Sequence, residues 1–173
     1  MVFSLHFVGM SKNCFNNLKP NIEFLLKFQK ITSFKMTISV VDSDSTDGTK
    51  EYCSKLYEEN LISNFIEIDD LEDEYNSRIE RLSISRNKGL QCVKTNSDLP
   101  VIYIPMDMDL DLFGLLSTIE LESLIKSFAK NKEIDGLFPF STPFYYDIFA
   151  LRAKNWVKGN NILTARNLKD KVK

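Results

Sequence analysis

The chain has 173 residues, a length that predicts one domain with its own hydrophobic core, spanning residues 1–173. Hydrophobic residues make up 43% of the sequence and charged residues 27%, which excludes disordered, collagen-like and coiled-coil proteins. The net charge is -2, so overall electrostatics gives no reason to expect a nucleic acid or an anionic membrane as partner.

The first part of the chain alternates apolar runs with helical patterns. Val2–Val8 predicts a buried strand, and Pro20 suits the first turn of a helix in which apolar residues such as Leu25 recur at helical spacing. Met36–Val41 predicts a second strand because it alternates and carries β-branched residues. The loop Asp42–Gly48 follows it and is rich in side chains that cap helices.

The same alternation continues to the end of the chain. Further strands are predicted at Phe65–Ile68, Val101–Pro105, Ile134–Phe140 and Tyr146–Leu151, and helices at Thr49–Glu58, Arg78–Val93 and Ser117–Lys130. This pattern predicts an α/β fold, with a mostly parallel central sheet between two layers of helices. Ligands bind outside the carboxyl ends of the strands in such sheets, and both acidic loops of the sequence follow strands.

The helix predicted at Arg78–Val93 carries one unusual cation. Its apolar residues form a single stripe, which consists of Ile79, Leu82, Leu90 and Val93. At about 100° per residue, Arg86 lies within about 20° of Ile79, so we expect a guanidinium group on the buried face.

Three aspartates directly follow the strand at Val101–Pro105. Asp107, Asp109 and Asp111 alternate, and in extended backbone they would point the same way, as ligands of a hard divalent cation do. A site with one or two carboxylates leaves room for substrate phosphates, so the pattern favours Mg²⁺ or Mn²⁺ with a phosphate-bearing substrate.

The cysteines and the single histidine exclude several kinds of site. Cys14, Cys53 and Cys92 form no CxxC pair and are odd in number, which argues against a disulfide framework or a zinc site and predicts a reducing, cytoplasmic location. His6 lies in an apolar run and is expected to be structural. No transmembrane segment is predicted, since no run approaches about 18 apolar residues.

The loop Asp42–Gly48 has two interpretations besides the one adopted below. An EF-hand is rejected because the glycine falls one position late and Cys53 stands where the bidentate glutamate belongs. The segment 38–46 also resembles the strand and DxDxT motif of haloacid dehalogenase-type phosphohydrolases, which would make Asp42 a nucleophile. In that family, however, the motif follows the first strand, whereas here it follows the second.

Four segments in order resemble nucleotide-sugar glycosyltransferases with the GT-A fold. Val40–Thr49 resembles their VVDDGSTDGT segment, and Asp107-Met108-Asp109 resembles their DxD motif. The helix around Arg86-Asn87 and the segment Tyr146–Arg152 are similar to the RI..L...RN and YDxWxLR segments of capsule-associated mannosyltransferases. The resemblance implies a Rossmann-like three-layer α/β/α fold in a single catalytic domain, or in one domain of a longer polypeptide.

The resemblance also implies how the donor is bound. Asp42 takes the family role of contacting the base or ribose, and Asp44, beside it, stands where the family has glycine. Asp107 and Asp109 hold the metal and ribose. Arg78 and Arg86 are implied as donors to the phosphate oxygens, with Arg86 favoured, and Asp44 and Asn87 are also placed in the donor-binding site.

The acceptor side is implied by the last segment. Asp147 is the candidate base for the acceptor hydroxyl, and Arg152 is placed with it in the catalytic set; the alternative is that Asp147 is a hydrogen-bonded carboxylate at the end of a strand, paired with Arg152. Aromatic residues that could form a wall for the acceptor sugar cluster nearby and are Phe138, Phe140, Phe144, Tyr145 and Tyr146.

The sequence thus predicts transfer of a hexose from a UDP- or GDP-sugar, with UDP favoured, to a glycan hydroxyl with Mn²⁺ or Mg²⁺. A domain that keeps the nucleotide-sugar site without catalysis remains an alternative, since a fold alone does not establish turnover.

Overall fold

Four parallel strands form the central sheet, in the order β3-β2-β1-β4. The strands are β1 (Ser4–Ser11), β2 (Lys35–Ser43), β3 (Asn64–Ile68) and β4 (Val101–Asp107). The computed structural model describes residues 3–93, 99–114 and 116–131, which fall in one compact unit, Met1–Asn131. The predicted α/β class with a parallel sheet between helices is therefore confirmed, and it is consistent with a Rossmann-like fold.

Within the residues that the structure describes, five helices connect or follow the strands. They are α1 (Phe15–Ile31), α2 (Thr49–Glu58), α3 (Leu71–Glu74), α4 (Arg78–Gln91) and α5 (Thr118–Lys130). Helix α1 begins at Phe15, so the prediction that it begins near Pro20 is wrong, and Pro20 lies on the exposed side of the helix interior. No described helix is long and apolar enough to cross a membrane.

One face of the sheet packs against α1, α2 and α5. Alternate residues of β1 and β2, including Phe7 and Ile38, point into this core because side chains alternate along a strand. Phe7 meets Phe28 of α1 edge to face, with ring centroids 6.2 Å apart. This is the larger of the two cores formed by the described residues.

The other face of the sheet packs against α4 through small residues. A Cβ atom on Gly89 would lie 2.6 Å from Met10 Cε and 2.7 Å from Val8 Cγ1, so glycine permits the close approach of helix and sheet. The apolar stripe predicted for this helix is wrong, since Ile79 is 67% exposed. Arg86 is also exposed and lies off the buried face, because the contact is made around Ser85 and Gly89.

Some of the predicted elements and site residues lie outside the residues that the structure describes. These include the strands expected at Ile134–Phe140 and Tyr146–Leu151, and with them Asp147, Arg152 and the aromatic residues of the expected acceptor wall.

Candidate functional site

The strand order reverses between β1 and β4. The chain runs outward from β1 to β2 and β3 and then returns to place β4 on the other side of β1. In open parallel sheets the crevice at such a reversal, outside the carboxyl ends of the strands, is the usual place for a ligand. Asp107, the last residue of β4, pairs there with Met10 of β1.

The acidic segment after β4 is a turn. The strand ends at Asp107, and residues 108–110 bend away, so the extended backbone assumed for the three alternating aspartates is wrong. Met108 is fully buried over Gly9, and its N–H donates to the Met10 carbonyl over 2.9 Å. The buried methionine leaves Asp107 and Asp109 on the exposed side of the turn.

Arg86 and Asp107, both predicted site residues, are in direct contact. Arg86 Nη2 donates to both carboxylate oxygens of Asp107 over 3.2 Å, and each side chain is about half exposed. Helix α4 thus places a guanidinium group at the carboxyl end of β4. Neither residue of the pair is buried. The predicted phosphate-binding residue and a predicted metal ligand lie at one point of the sheet edge.

Two asparagines of α1 hold the acidic turn. Asn21 donates through Nδ2 to the Leu110 carbonyl over 2.7 Å and accepts from the Leu112 N–H over 3.2 Å. Asn17, one turn earlier, donates to the Asp109 carbonyl. Sequence reasoning missed both residues, although an asparagine among the apolar residues of the buried helix face is a signal that could have identified Asn21.

Asp42 is enclosed by its own loop and is fully buried. Its Oδ1 accepts from the hydroxyls of Ser11 over 2.9 Å and Ser45 over 2.6 Å, and its Oδ2 accepts from the Ser45 N–H over 3.3 Å. Burial raises the pKa of this carboxyl above its ordinary value, against the hydrogen bonds that lower it. The predicted contact between Asp42 and a nucleotide stays a prediction, and the carboxylate observed here shapes the loop.

Asp44 adopts a left-handed backbone conformation, with φ of 54°. Aspartate tolerates this conformation better than most residues, which explains how the loop makes its turn although the glycosyltransferase segment that it resembles has glycine at this position. Its carboxylate accepts from the N–H groups of Leu71 and Glu72, each over 3.2 Å. Asp44 therefore joins the loop after β2 to the segment after β3.

Asp47 joins the same loop to the start of α1. Its Oδ2 accepts from the Phe15 N–H over 3.0 Å, and its Oδ1 accepts from Thr49 at the start of α2. Desolvation would raise the pKa of Asp47, but the hydrogen bonds from Thr49 and Phe15 outweigh it and lower the pKa. One carboxylate thus caps two helices whose first amide groups face the sheet edge.

Two further cations at this edge were not predicted. Lys12 Nζ lies 2.6 Å from Glu72 Oε1, and Arg81 Nη2 lies 3.8 Å from the same oxygen. The hydrogen bond from Lys12 is the main cause that lowers the pKa of Glu72. Lys12 directly follows β1, and that position was the signal available in the sequence.

Of the other predicted donor-site residues, Arg78 and Asn87 are exposed on α4.

The acidic turn carries two exposed carboxylates, Asp107 and Asp109, which the sequence predicts as ligands of a divalent cation. In the described ranges, no three His, Cys, Asp or Glu side chains converge into a metal-binding group. Mg²⁺ and Mn²⁺ are commonly held by one or two carboxylates plus substrate phosphates, which is the chemistry that Asp107 and Asp109 offer beside Arg86.

Cysteine and histidine residues take no part in this arrangement. Cys14, Cys53 and Cys92 are free, and burial raises the pKa of Cys53 to about 12. His6 Nε2 and Ser4 Oγ are hydrogen-bonded over 2.9 Å within the buried β1, and burial lowers the pKa of His6. The candidate site therefore consists of carboxylates, guanidinium groups and asparagines.

No protein-family model, curated protein sequence or solved structure matches this chain.

Proposed function

We propose that the protein transfers a hexose from a nucleoside diphosphate sugar to a glycan hydroxyl and depends on Mn²⁺ or Mg²⁺. The observation that carries this proposal is the contact between Arg86 and Asp107 at the reversal of strand order. A carboxylate for a cation and a guanidinium for phosphate oxygens lie within one hydrogen bond of each other. A diphosphate bound with a divalent cation can use both groups, the carboxylate for the cation and the guanidinium for phosphate oxygens.

In this proposal the residues of the sheet edge bind and orient the donor. Asp107 and Asp109 hold the cation, and Arg86 turns from Asp107 to the diphosphate, where its planar fork matches two phosphate oxygens. Arg78 and Asn87, which are also exposed on α4, are proposed as further donor-binding residues because of the resemblance to glycosyltransferases. The bound cation supplies electrostatic stabilisation of the negative charge that develops on the departing nucleoside diphosphate.

Asp147 is proposed as the base that accepts the proton of the acceptor hydroxyl, with Arg152 as its partner. Both assignments rest on the resemblance of the segment 146–152 to glycosyltransferases. The cytoplasm is the proposed location, since all three cysteines in the described ranges carry free thiols.

Burial of Asp42 disfavours the phosphohydrolase alternative. A nucleophilic carboxylate must reach a phosphorus atom, whereas Asp42 is fully buried and Ser11 and Ser45 occupy its oxygens. We infer instead that Asp42 shapes the loop after β2, whose remaining polar groups then face the nucleotide.

Thermal unfolding of the full chain with UDP, GDP and their sugars, each with and without Mn²⁺, tests the proposal. A ligand at about 100 times its Kd stabilises a protein by about 2.7 kcal/mol. We expect a Mn²⁺-dependent rise in Tm for one nucleoside diphosphate. No rise with any nucleotide, together with protection by Mg²⁺ and fluoroberyllate, would instead identify a phosphohydrolase.

Release of labelled sugar then separates an enzyme from a binding domain. The donor identified by the Tm shift is incubated with Mn²⁺ and with water or glycans as acceptors, and free nucleoside diphosphate is measured. Binding without release would support the non-catalytic alternative.

A further inference from the structure

The backbone of the acidic turn is held by strand β1 and by side chains of helix α1. The Met108 N–H continues the pairing with β1, and the Met108 side chain fills the space over Gly9. Beyond that point regular pairing stops, and three backbone groups of residues 109–112 bind side chains instead: the carbonyls of Asp109 and Leu110 and the N–H of Leu112.

Helix α1 supplies those side chains from two positions one turn apart. Residues at i and i+4 lie on the same face of a helix, so Asn17 and Asn21 present two amides to one segment. They bind the carbonyls of Asp109 and Leu110, and Asn21 also accepts from the Leu112 N–H. The two side-chain amides thus donate to carbonyl groups of the turn, and one of them also accepts from an N–H of the turn.

The burial of the two asparagines differs, which makes them separable by experiment. Asn21 is 1% exposed and both of its polar atoms are used, so it forms part of the packed interior. Asn17 is exposed and contributes a hydrogen bond at the surface. Asn16, its exposed neighbour, makes no side-chain hydrogen bond to any residue that the structure describes.

We propose that Asn17 and Asn21 are positioning residues, which fix the backbone of the turn so that Asp109 presents its carboxylate beside Asp107, at the end of β4, to a cation bound with a diphosphate. This inference rests on the proposed function for its ligand. Groups that orient metal ligands commonly change metal affinity by about 10-fold to 100-fold when they are removed. The asparagines act here on the backbone that carries the ligands.

The test compares Asn17→Ala, Asn21→Ala and the matched control Asn16→Ala in the full chain. Hydrogen exchange of peptides covering residues 107–112 reports the hold on the turn without any ligand. Calorimetric titration of Mn²⁺ in the presence of UDP reports cation binding, and Tm reports global stability. Asn17→Ala is the variant that leaves the core intact, whereas Asn21→Ala also removes buried packing.

We expect faster exchange of the turn in both test variants, confined to the turn in Asn17→Ala. We also expect a rise in the Mn²⁺ Kd of about threefold for Asn17→Ala, as for loss of one hydrogen bond, and about tenfold for Asn21→Ala. Asn16→Ala should match the wild type. Unchanged exchange in the turn, or faster exchange with an unchanged Mn²⁺ Kd, would overturn the inference.

Failure of the proposed function gives a different result. If the wild type binds Mn²⁺ with neither UDP nor GDP, the proposed function is overturned. The exchange data alone then decide whether the two asparagines hold the turn, since that comparison needs no ligand.

Discussion

Arg86 and Asp107 form an ion pair in which one guanidinium nitrogen lies 3.2 Å from both carboxylate oxygens. Both side chains are about half exposed, so the pair itself adds little to the stability of the fold. The pair matters because each partner could bind another ion instead, a cation at Asp107 and an anion at Arg86. In the proposed function, a cation bound to Asp107 would replace Arg86, and the released guanidinium would then face the anion that accompanies the cation.

Arg86→Ala therefore separates cation binding from diphosphate binding. We expect Mn²⁺ alone to bind at least as tightly as in the wild type, because its competitor for Asp107 is gone. The Kd for UDP with Mn²⁺ should rise about tenfold or more, since a hydrogen bond to a charged group is worth about 1.5–3 kcal/mol. Calorimetric titration measures both, and Lys88→Ala on the same helix controls for the lost positive charge.

Asp109→Ala tests the second carboxylate of the turn. Asp109 is exposed and is held through its backbone carbonyl, so the variant should fold with a Tm close to that of the wild type. Mn²⁺-dependent binding of UDP or GDP should be lost. Asp73→Ala removes the same charge from exposed α3 and serves as the control. Unchanged nucleotide affinity in Asp109→Ala would contradict the metal assignment.

Gly9→Ala tests the packing beneath the turn. The added Cβ would lie 2.7 Å from Met108 Cγ, and overpacking of this kind costs about 1–3 kcal/mol. We expect that loss in urea unfolding. The double variant Gly9→Ala, Met108→Ala should lose less than the sum of the two single variants, by about 1 kcal/mol, because the smaller side chain leaves room for the methyl group. Additive losses would show that the two residues do not compete for space.

Asp42 should give an unusual pH dependence of stability. Its pKa is raised in the folded state above the ordinary value of 3.8, mainly by burial, so the folded protein holds this proton more tightly than the unfolded chain does. The stabilisation is present below pH 3.8 and is lost as the pH rises through the folded-state pKa.

Asp42→Asn removes this titration while keeping the size of the side chain. Urea unfolding is measured between pH 3.5 and pH 7, a range that begins near the ordinary aspartate pKa of about 3.9. Over this range the variant should gain stability relative to the wild type as the pH rises. A relative loss with rising pH would mean that the hydrogen bonds from Ser11 and Ser45 outweigh burial.

The strands of the described region were predictable because their apolar runs are bounded by polar turns. Val101–Pro105, for example, falls within β4, and the acidic residues after it fall at the expected sheet edge. The buried face of α4 was not predictable from apolar spacing. Gly89 lets the helix approach the sheet, so a glycine and a serine make the contact and Leu90 remains exposed.

The candidate site could be predicted only in part from the sequence, for a related reason. A motif identifies carboxylates by their spacing, so Asp107 and Asp109 could be named, whereas the hydrogen bonds that hold them join residues far apart in sequence. Asn21 and Leu110 are one such pair. The burial of Asp42 likewise depends on Ser11, which only the pairing of β1 with β2 brings alongside.

The strand order also has a consequence for how the protein is made. β1 is the first strand of the described sheet to leave the ribosome, yet one of its edges pairs with β4, whose Val101 aligns with Ser4. Until β4 is synthesised, that edge of a fully buried strand is open to pairing with other chains. Contacts between such distant segments slow folding, so the acidic turn is among the last parts of this sheet edge to form.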